Sequence, residues 1–297
     1  MKIGFLGLGH MGAPMAANLV KAGHDVLAFD PVPAAQEQAR TDGATVVPTA
    51  VEAVAGREVV ITMLPNGKLV LDVYADILPA AEPDTLFIDC STIDVADAKT
   101  AAERAVAAGH RALDAPVSGG VAGATAGTLT FMVGGAEADF AAGLPVLEVM
   151  GGKVVHCGGA GVGQAAKICN NMLLGVSMVA LSEALVLGEK LGLSHQSFYD
   201  VVSTASGQSW SLTTYCPVPG PVPTSPANND YKPGFATALM TKDLGLAANA
   251  LQANGVDGQL GALAAEIYTR FNQTDAARDF SAIVTDIRDR SNQEASE

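Results

Sequence analysis

An apolar stretch from Gly163 to Gly192 divides this sequence into two halves of different character. It contains no proline and is rich in alanine, leucine and methionine, which predicts one long helix buried on most of its faces. Lys167 and Asn171 lie near its start, four residues apart, so a helix places both on one face. We interpret this pair as half of an active site and expect the first half of the chain to supply the rest.

Before this stretch, short apolar runs alternate with helical runs. The predicted strands are Ile3–Leu6, His24–Phe29, Val59–Met63, Leu86–Asp89, Ala112–Ala115, Leu129–Val133 and Val154–His156. Such alternation is typical of βαβ units and predicts a doubly wound, mostly parallel sheet. We therefore predict an α/β domain over residues 1–163.

After the stretch the strand pattern stops, and an all-α domain is predicted over residues 164–297, joined to the first by a long central helix at about 164–192. The further predicted helices are His195–Ser203, Ala236–Asn254, Gly258–Phe271 and Phe280–Asp289. Six of the fifteen prolines lie between Pro217 and Pro233. That segment is too long for a simple connector, so we expect it to pack over another part of the protein.

Composition excludes several partners. The net charge of −14 argues against nucleic acid and anionic membranes. The four cysteines and five histidines lack metal-site spacing, so no metal is expected. The most apolar part of the long stretch, Ile168–Ser182, is too short and too polar to suggest a bilayer span. The chain opens directly on a strand without a secretory signal, and we expect a cytoplasmic protein.

The turn after the first strand carries the glycine pattern of a dinucleotide site. It consists of Gly7, Leu8, Gly9, His10, Met11 and Gly12, between a predicted strand and a predicted helix. Its glycines would let the backbone approach a pyrophosphate at the helix N-terminus, as in a Rossmann-type domain. Asp30 ends the second strand and would bind the ribose hydroxyls. Because Asp30 repels a 2′-phosphate and is followed by Pro31 rather than arginine, NAD is favoured over NADP. The alternative is a plain tight turn with a surface aspartate.

Residues after later strands are expected to line the same cofactor groove, because ligands bind at the carboxyl ends of parallel strands. They are Met63, Leu64 and Pro65 at the end of one strand and Asp89, Cys90, Ser91 and Thr92 at the end of the next. Thr92 could equally be the N-cap of the following helix. Cys90 is expected to be a small buried residue and not a nucleophile.

Two further sets of polar residues are candidates for substrate binding. Ser118, Gly119 and Gly120 offer a hydroxyl and successive backbone N–H groups, which suit a carboxylate, although a flexible loop would have the same composition. Lys242 and Asp243 interrupt an apolar helix, where partial burial is favoured over an ordinary surface ion pair.

Taken together, four motifs resemble the β-hydroxyacid dehydrogenase family. They are GLGHMG at Gly7–Gly12, DAPVSGG at Asp114–Gly120, GxGQAAKxxNN at Gly161–Asn171 and KDL at Lys242–Leu244. The resemblance implies that Lys167 is catalytic, that Ser118, Gly119 and Gly120 bind the substrate carboxylate, and that Asn171 orients the substrate. It further implies that Lys242, with Asp243 beside it, lies against cofactor and substrate, and that the chain forms a homodimer or homotetramer.

Within that family, the PVPGPVP loop at Pro217–Pro223 and SPANNDY at Ser225–Tyr231 resemble the branch that oxidises 3-hydroxyisobutyrate with NAD⁺, a step of valine catabolism. The expected partner is therefore a small hydroxy acid. Another short 3-hydroxy acid, as in tartronate semialdehyde reduction or 4-hydroxybutyrate chemistry, is the alternative substrate. A dinucleotide-binding protein without activity is a more distant alternative.

Overall fold

The computed structural model describes residues 1–293. The chain divides into two compact units, the first covering Met1–Lys167 and the second beginning at Ile168. This division falls inside a continuous helix, four residues after the boundary that we predicted. The exact domain boundary therefore stays a prediction.

The first unit contains a sheet of nine strands within the described residues. They are β1 (Lys2–Leu6), β2 (Asp25–Phe29), β3 (Thr45–Val46), β4 (Val59–Thr62), β5 (Leu86–Asp89), β6 (Arg111–Asp114), β7 (Val117–Ser118), β8 (Leu129–Gly135) and β9 (Gly151–Gly158). The order is β3-β2-β1-β4-β5-β6-β8-β7, with β9 also paired to β8. The first six strands are parallel, β8 runs antiparallel to β6 and β7, and β9 is parallel to β8. This confirms the predicted doubly wound, mostly parallel sheet.

Helices cover both faces of this sheet. They are α1 (Gly12–Lys21), α2 (Pro33–Thr41), α3 (Ala50–Val54), α4 (Gly67–Ile77), α5 (Val95–Ala107), α6 (Gly120–Ala126) and α7 (Glu137–Met150). Alternate strand residues face opposite cores: Ile61 packs with α1 and α7, whereas Val60 packs with α4 and α5. Burial on both faces explains why these strands are continuously apolar in the sequence.

Four short elements of the first unit were not predicted: β3, α3, β7 and α6. Two of them are strands of two residues, which are too short to produce a periodic pattern. The segment after Ser118, which could have been a flexible loop, instead forms α6.

The second unit is helical. Its elements are α8 (Val162–Lys190), which begins in the first unit, α9 (His195–Val202), α10 (Trp210–Thr213), α11 (Thr237–Ala253), α12 (Gln259–Asp275) and α13 (Ile283–Gln293), with 3-10 turns at Pro226–Asn229 and Phe280–Ala282. The proline-rich segment joins the core of this unit, where Cys216, Val218 and Val222 are buried. Tyr231 closes the segment by donating from its hydroxyl to the Pro217 carbonyl at 2.8 Å.

Helix α8 is longer and more apolar than our argument against a membrane span assumed. It has 29 residues, and its mean hydropathy reaches 1.6, so length and composition alone would allow it to cross a bilayer. Half of the apolar window is buried inside the protein, however, and the core helix of a water-soluble protein has the same properties.

Candidate active site

The turn between β1 and α1 is built for close approach of its backbone. Gly7 has φ +95°, and a Cβ there would lie 2.2 Å from the Met63 carbonyl oxygen. A Cβ on Gly12 would lie 1.9 Å from the Gly7 carbonyl oxygen. At Gly9, by contrast, a Cβ would meet no protein atom within 4 Å. Two glycines are therefore required to form the turn, whereas the third leaves its outer side open.

Helix α1 begins directly at this turn and presents its N-terminus there. The N-cap residue, Met11, makes no side-chain hydrogen bond to the helix, and the first N–H groups of a helix have no partner within it. His10 is exposed, while Leu8 is buried against the sheet. The open turn and the positive end of the helix dipole together suit an anion.

Asp30 lies at the carboxyl end of β2, as predicted, and only 8 % of it is exposed. Its Oδ2 accepts a hydrogen bond from the Leu8 N–H at 2.7 Å, and its Oδ1 accepts one from the Val32 N–H at 2.8 Å. A carboxylate has about four acceptor sites, so Asp30 can accept further bonds from hydroxyl groups. The same carboxylate thereby holds the glycine turn in place.

The predicted cofactor segments lie at one edge of the sheet because β4 neighbours β1 and β5 neighbours β4. Met63 and Leu64 are half-buried and Pro65 is exposed after β4, and Thr92 is half-buried after β5. The strand order reverses between β1 and β4, which is where ligands bind in such sheets. Thr92 is not the N-cap of α5, because Asp94 has that position and accepts from the Ala96 N–H at 2.8 Å.

A buried hydrogen-bond network joins these two segments, and sequence reasoning missed it. Asp89 Oδ1 accepts from the Thr62 hydroxyl at 2.7 Å and from the Ser91 hydroxyl at 2.6 Å. Ser91 Oγ in turn accepts from the Leu64 N–H at 2.8 Å. Burial raises the pKa of Asp89 to about 6, although the hydroxyl donors oppose that shift. An acidic residue at the end of an otherwise apolar strand was the available signal.

Cys90, next to this network, is fully buried, and burial raises the pKa of its thiol well above the usual range. That environment is unlike that of a reactive cysteine, as expected.

Ser118, Gly119 and Gly120 form the passage from β7 into α6. Gly119 has φ +136° and Gly120 has φ +62°, a pair of conformations that only glycine adopts without strain. Ser118 and Gly120 are half-buried and Gly119 is exposed. A hydroxyl and the first N–H groups of α6 are thus available to a carboxylate.

Lys167 lies in the second turn of α8 and is 6 % exposed. The start of that helix is fixed by Asp114 at the end of β6, whose carboxylate accepts from the Gly161 N–H at 2.7 Å and from the Gln164 N–H at 2.9 Å. Burial raises the pKa of Asp114 despite these bonds. Asp114 was noted only as part of a motif, and its role as the anchor of α8 was not predicted.

In the second unit, four polar residues form a cluster between α8 and α11. Asn171 is 2 % exposed, and its Nδ2 donates to Asp243 Oδ2 at 2.5 Å. Its Oδ1 accepts from Asn170 Nδ2 at 2.9 Å. Lys242 Nζ lies 3.4 Å from Asp243 Oδ1. Asp243 is 3 % exposed, so the Lys242–Asp243 pair is partly buried, as predicted, and Asp243 also orients the Asn171 amide.

The residues of the first unit fit a dinucleotide. The open side of Gly9, the N-terminus of α1 and the carboxylate of Asp30 lie at the same sheet edge as Met63, Leu64, Pro65 and Thr92. This combination provides an anion site for a pyrophosphate and acceptors for ribose hydroxyls.

Comparisons with known proteins agree with this site. Residues 2–159 match the family model described as the NAD binding domain of 6-phosphogluconate dehydrogenase. Residues 161–287 match the model described as NAD-binding of NADP-dependent 3-hydroxyisobutyrate dehydrogenase.

Individual relatives cover nearly the whole chain. A probable 3-hydroxyisobutyrate dehydrogenase of Mycobacterium tuberculosis is 58 % identical, covering 97 % of this chain and 98 % of that protein. The solved structure of M. tuberculosis 3-hydroxyisobutyrate dehydrogenase with L-serine has a TM-score of 0.94 at 58 % identity, covering 97 % of this chain and 99 % of that one. An NAD-dependent L-serine dehydrogenase of Pseudomonas aeruginosa is 44 % identical, covering 95 % of this chain and 96 % of that protein.

The matches span both units, and the glycine turn and Asp30 agree with NAD as the cofactor. The chain therefore belongs to the 3-hydroxyisobutyrate dehydrogenase family and is an NAD-dependent oxidoreductase.

Proposed function

We propose that this protein oxidises 3-hydroxyisobutyrate to methylmalonate semialdehyde with NAD⁺, a step of valine catabolism, and that Lys167 is its general acid–base. The names of the relatives support the substrate. The observation that carries the catalytic assignment is a lysine, 6 % exposed, on a helix whose first turn is bonded to the cofactor edge of the sheet.

The chemical step that the protein itself carries out in this reaction is a proton transfer. NAD⁺, which the cofactor residues would hold, would supply the acceptor for the hydride on the carbinol carbon of the substrate. Lys167 removes the hydroxyl proton as the carbon–hydrogen bond breaks, and in the reverse direction it returns that proton to the developing alkoxide. Its amine must be neutral when the alcohol binds, because only a neutral amine can accept that proton.

The substrate carboxylate binds at Ser118, Gly119 and Gly120 in this proposal. Gly119 and Gly120 both have positive φ, and the first N–H groups of α6 have no partner within that helix, which supports that assignment. Asn171 and Lys242 orient the substrate, with Lys242 also next to the cofactor. The bond from Asn171 to Asp243 supports a positional role, since it fixes the amide orientation.

The cofactor residues are the turn Gly7–Gly12, Asp30, Met63, Leu64, Pro65, Thr92, Lys242 and Asp243. Asp30 carries the preference for NAD over NADP, since a second negative charge beside its carboxylate would be repelled. If the unaltered protein prefers NADP⁺, this role of Asp30 is wrong.

L-serine is the second candidate substrate. It is itself a 3-hydroxy acid, one relative is named an L-serine dehydrogenase, and the solved M. tuberculosis structure was determined with L-serine. The same lysine and carboxylate site would serve both substrates, which differ in the group on the central carbon.

One comparison of substrates tests the proposal. We would measure kcat/KM for 3-hydroxyisobutyrate, L-serine, glycerate (the alcohol that corresponds to tartronate semialdehyde) and 4-hydroxybutyrate with NAD⁺ and with NADP⁺. We expect the highest value for 3-hydroxyisobutyrate with NAD⁺. A higher value for L-serine would mean that L-serine, and not 3-hydroxyisobutyrate, is the substrate. Binding of NADH without turnover of any acid would indicate a dinucleotide-binding protein without this activity.

We also propose that the protein acts in the cytoplasm as a homodimer or homotetramer, without nucleic acid or membrane partners. The net charge of −14 supports the absence of nucleic acid and anionic membrane partners. Light scattering on the purified protein would give the oligomeric state, and fractionation of the source cells would give the location.

A further inference from the structure

Gln164 connects α8 to the segment that follows β5. Its Nε2 donates to the Ser91 carbonyl oxygen at 2.7 Å, and its Oε1 accepts from the Ile93 N–H at 3.2 Å. The side chain is fully buried, so these bonds are not in competition with water. One amide thus holds the main chain on both sides of Thr92.

The position of Gln164 on α8 relates this contact to the proposed chemistry. Lys167 follows three residues later, which places it about 4.5 Å further along the helix on a neighbouring part of its surface. The backbone of Gln164 is already anchored to Asp114, so the helix start has two attachments to the sheet. The backbone bond to Asp114 holds the end of the helix. The side-chain bonds of Gln164 set the position of the helix along the residues around Thr92.

We propose that Gln164 is a positioning residue, which fixes the Lys167-bearing turn of α8 relative to the Ser91–Ile93 segment at the cofactor edge. This inference rests on the proposed function of Lys167. Ser91 extends the connection to Leu64, because its hydroxyl oxygen accepts from the Leu64 N–H at 2.8 Å, so Ser91 links α8 to the loop after β4. The reacting groups of a dehydrogenase tolerate little displacement, and about 1 Å can cost about 100-fold in rate.

The first test replaces Gln164 with methionine, which has a similar shape but neither the donor nor the acceptor. We expect kcat/KM to fall about 10- to 100-fold. With substrate deuterated at the carbinol carbon, the isotope effect on kcat/KM should rise, because hydride transfer becomes more rate-limiting. A loss of folded protein alone would lower the rate and leave the isotope effect unchanged. A Gln164→Met variant with both quantities unchanged would overturn the proposal.

A second variant, Gln164→Glu, keeps the test informative if methionine prevents folding. A protonated glutamic acid offers one donor and one acceptor, as the amide does, whereas its carboxylate places an anion against the Ser91 carbonyl and near Asp114. We expect activity relative to the unaltered protein to rise as the pH is lowered. A pH-independent ratio would contradict the positioning role.

The matched control is Gln252→Met on the exposed surface of α11, which should leave rate and isotope effect unchanged. Two measurements without substrate separate this proposal from the proposed function. Gln164→Met should speed hydrogen exchange at the Ile93 N–H and should raise the rate of reductive methylation at Lys167. If no hydroxy acid is turned over but both changes occur, the proposed function fails and the coupling stands. If neither changes, the coupling fails.

Discussion

The two units form their polar sites by different means. In the first unit, the cofactor edge is made largely of backbone groups, with two glycines shaping the turn and Asp30 bonded to main-chain N–H groups. In the second, the cluster consists of side chains on two helices, with Asn171 and Asp243 separated by 72 residues in sequence. Local spacing therefore specifies the first site, whereas the second depends on how α8 and α11 pack.

The units also differ in how one carboxylate of each is held: Asp89 is buried, whereas Glu189 is partly exposed. Asp89 in the first unit has only hydroxyl and N–H donors, and burial raises its pKa to about 6. Glu189 in the second unit makes two bonds to Arg288, at 2.9 Å and 2.7 Å, and this guanidinium lowers its pKa to about 2. Burial without a cationic partner therefore raises the pKa of Asp89, whereas the bonds to Arg288 lower that of the partly exposed Glu189.

The largest expected effect concerns Lys167. Replacement with alanine should lower kcat by about 10² to 10⁴, the usual contribution of general acid–base catalysis, while NADH still binds. Turnover and NADH fluorescence measure the two properties separately. The exposed lysine Lys153 provides the control, since Lys153→Ala should leave both unchanged. A loss below tenfold would mean that another group transfers the proton.

The glycine turn gives the next largest effect and tests whether backbone shape is decisive. Gly9→Ala meets no protein atom, so unfolding should be unchanged, but the new methyl group occupies the open side and should raise the NADH Kd at least tenfold, about 1.4 kcal/mol. Gly12→Ala meets the Gly7 carbonyl and should also lower the unfolding free energy by about 1–3 kcal/mol. Equal NADH affinities for Gly9→Ala and the unaltered protein would show that the pyrophosphate does not bind on this side of the turn.

The cofactor edge of the first unit also shows which parts of the fold and the site could be predicted from the sequence. The turn and Asp30 were predicted because a strand, three glycines and an acidic strand end follow one another within 30 residues. The roles of Asp89 and Gln164 could not be predicted, because their partners depend on which strands are neighbours and on where α8 begins. The short elements β3 and β7 pair only two residues each, and tertiary contacts determine them.

The pH dependence of stability tests the environment of Asp89, the buried carboxylate without a cationic partner. Because the folded-state pKa of Asp89 is raised from 3.8 to about 6, the folded state holds a proton that the unfolded state releases. Stability from this group is present below about pH 4 and is lost as the pH rises through about 6. Asp89→Asn keeps an acceptor for Thr62 and Ser91. Its unfolding free energy, relative to that of the unaltered protein, should rise by up to about 3 kcal/mol as the pH increases from about 4 to about 6.

Denaturant unfolding at several pH values would measure this difference. Its change with pH isolates Asp89 from any constant cost of the new amide. A difference that is constant from pH 4 to 7 would show that Asp89 is not desolvated as the structure indicates.

A replacement in the side-chain cluster of the second unit should have a smaller effect than those described so far. Asp243→Ala leaves the buried Asn171 amide without its acceptor and should lower the unfolding free energy by about 1–2 kcal/mol. If Asn171 orients the substrate, KM for the hydroxy acid should rise more than KM for NAD⁺. The exposed residue Asp257 is the control, and Asp257→Ala should change neither value. Because Asp243 is itself assigned to the cofactor site, KM for NAD⁺ can rise as well, and a rise confined to KM for NAD⁺ would mean that Asn171 does not orient the substrate.

The smallest effect concerns Glu189, and its sign is opposite to that of Asp89. Its folded-state pKa is lowered from 4.5 to about 2, so its stabilisation is present above about pH 4.5 and is lost as the pH falls toward 2. The pair is partly exposed, which limits its contribution to about 0.5–1 kcal/mol because solvent screens it. Glu189→Gln should therefore be less stable than the unaltered protein at pH 7 and nearly equal to it only at about pH 2. The stability differences of Asp89→Asn and Glu189→Gln should change with pH in opposite directions, because the two pKa shifts have opposite signs, and changes in one direction would contradict one of the two shifts.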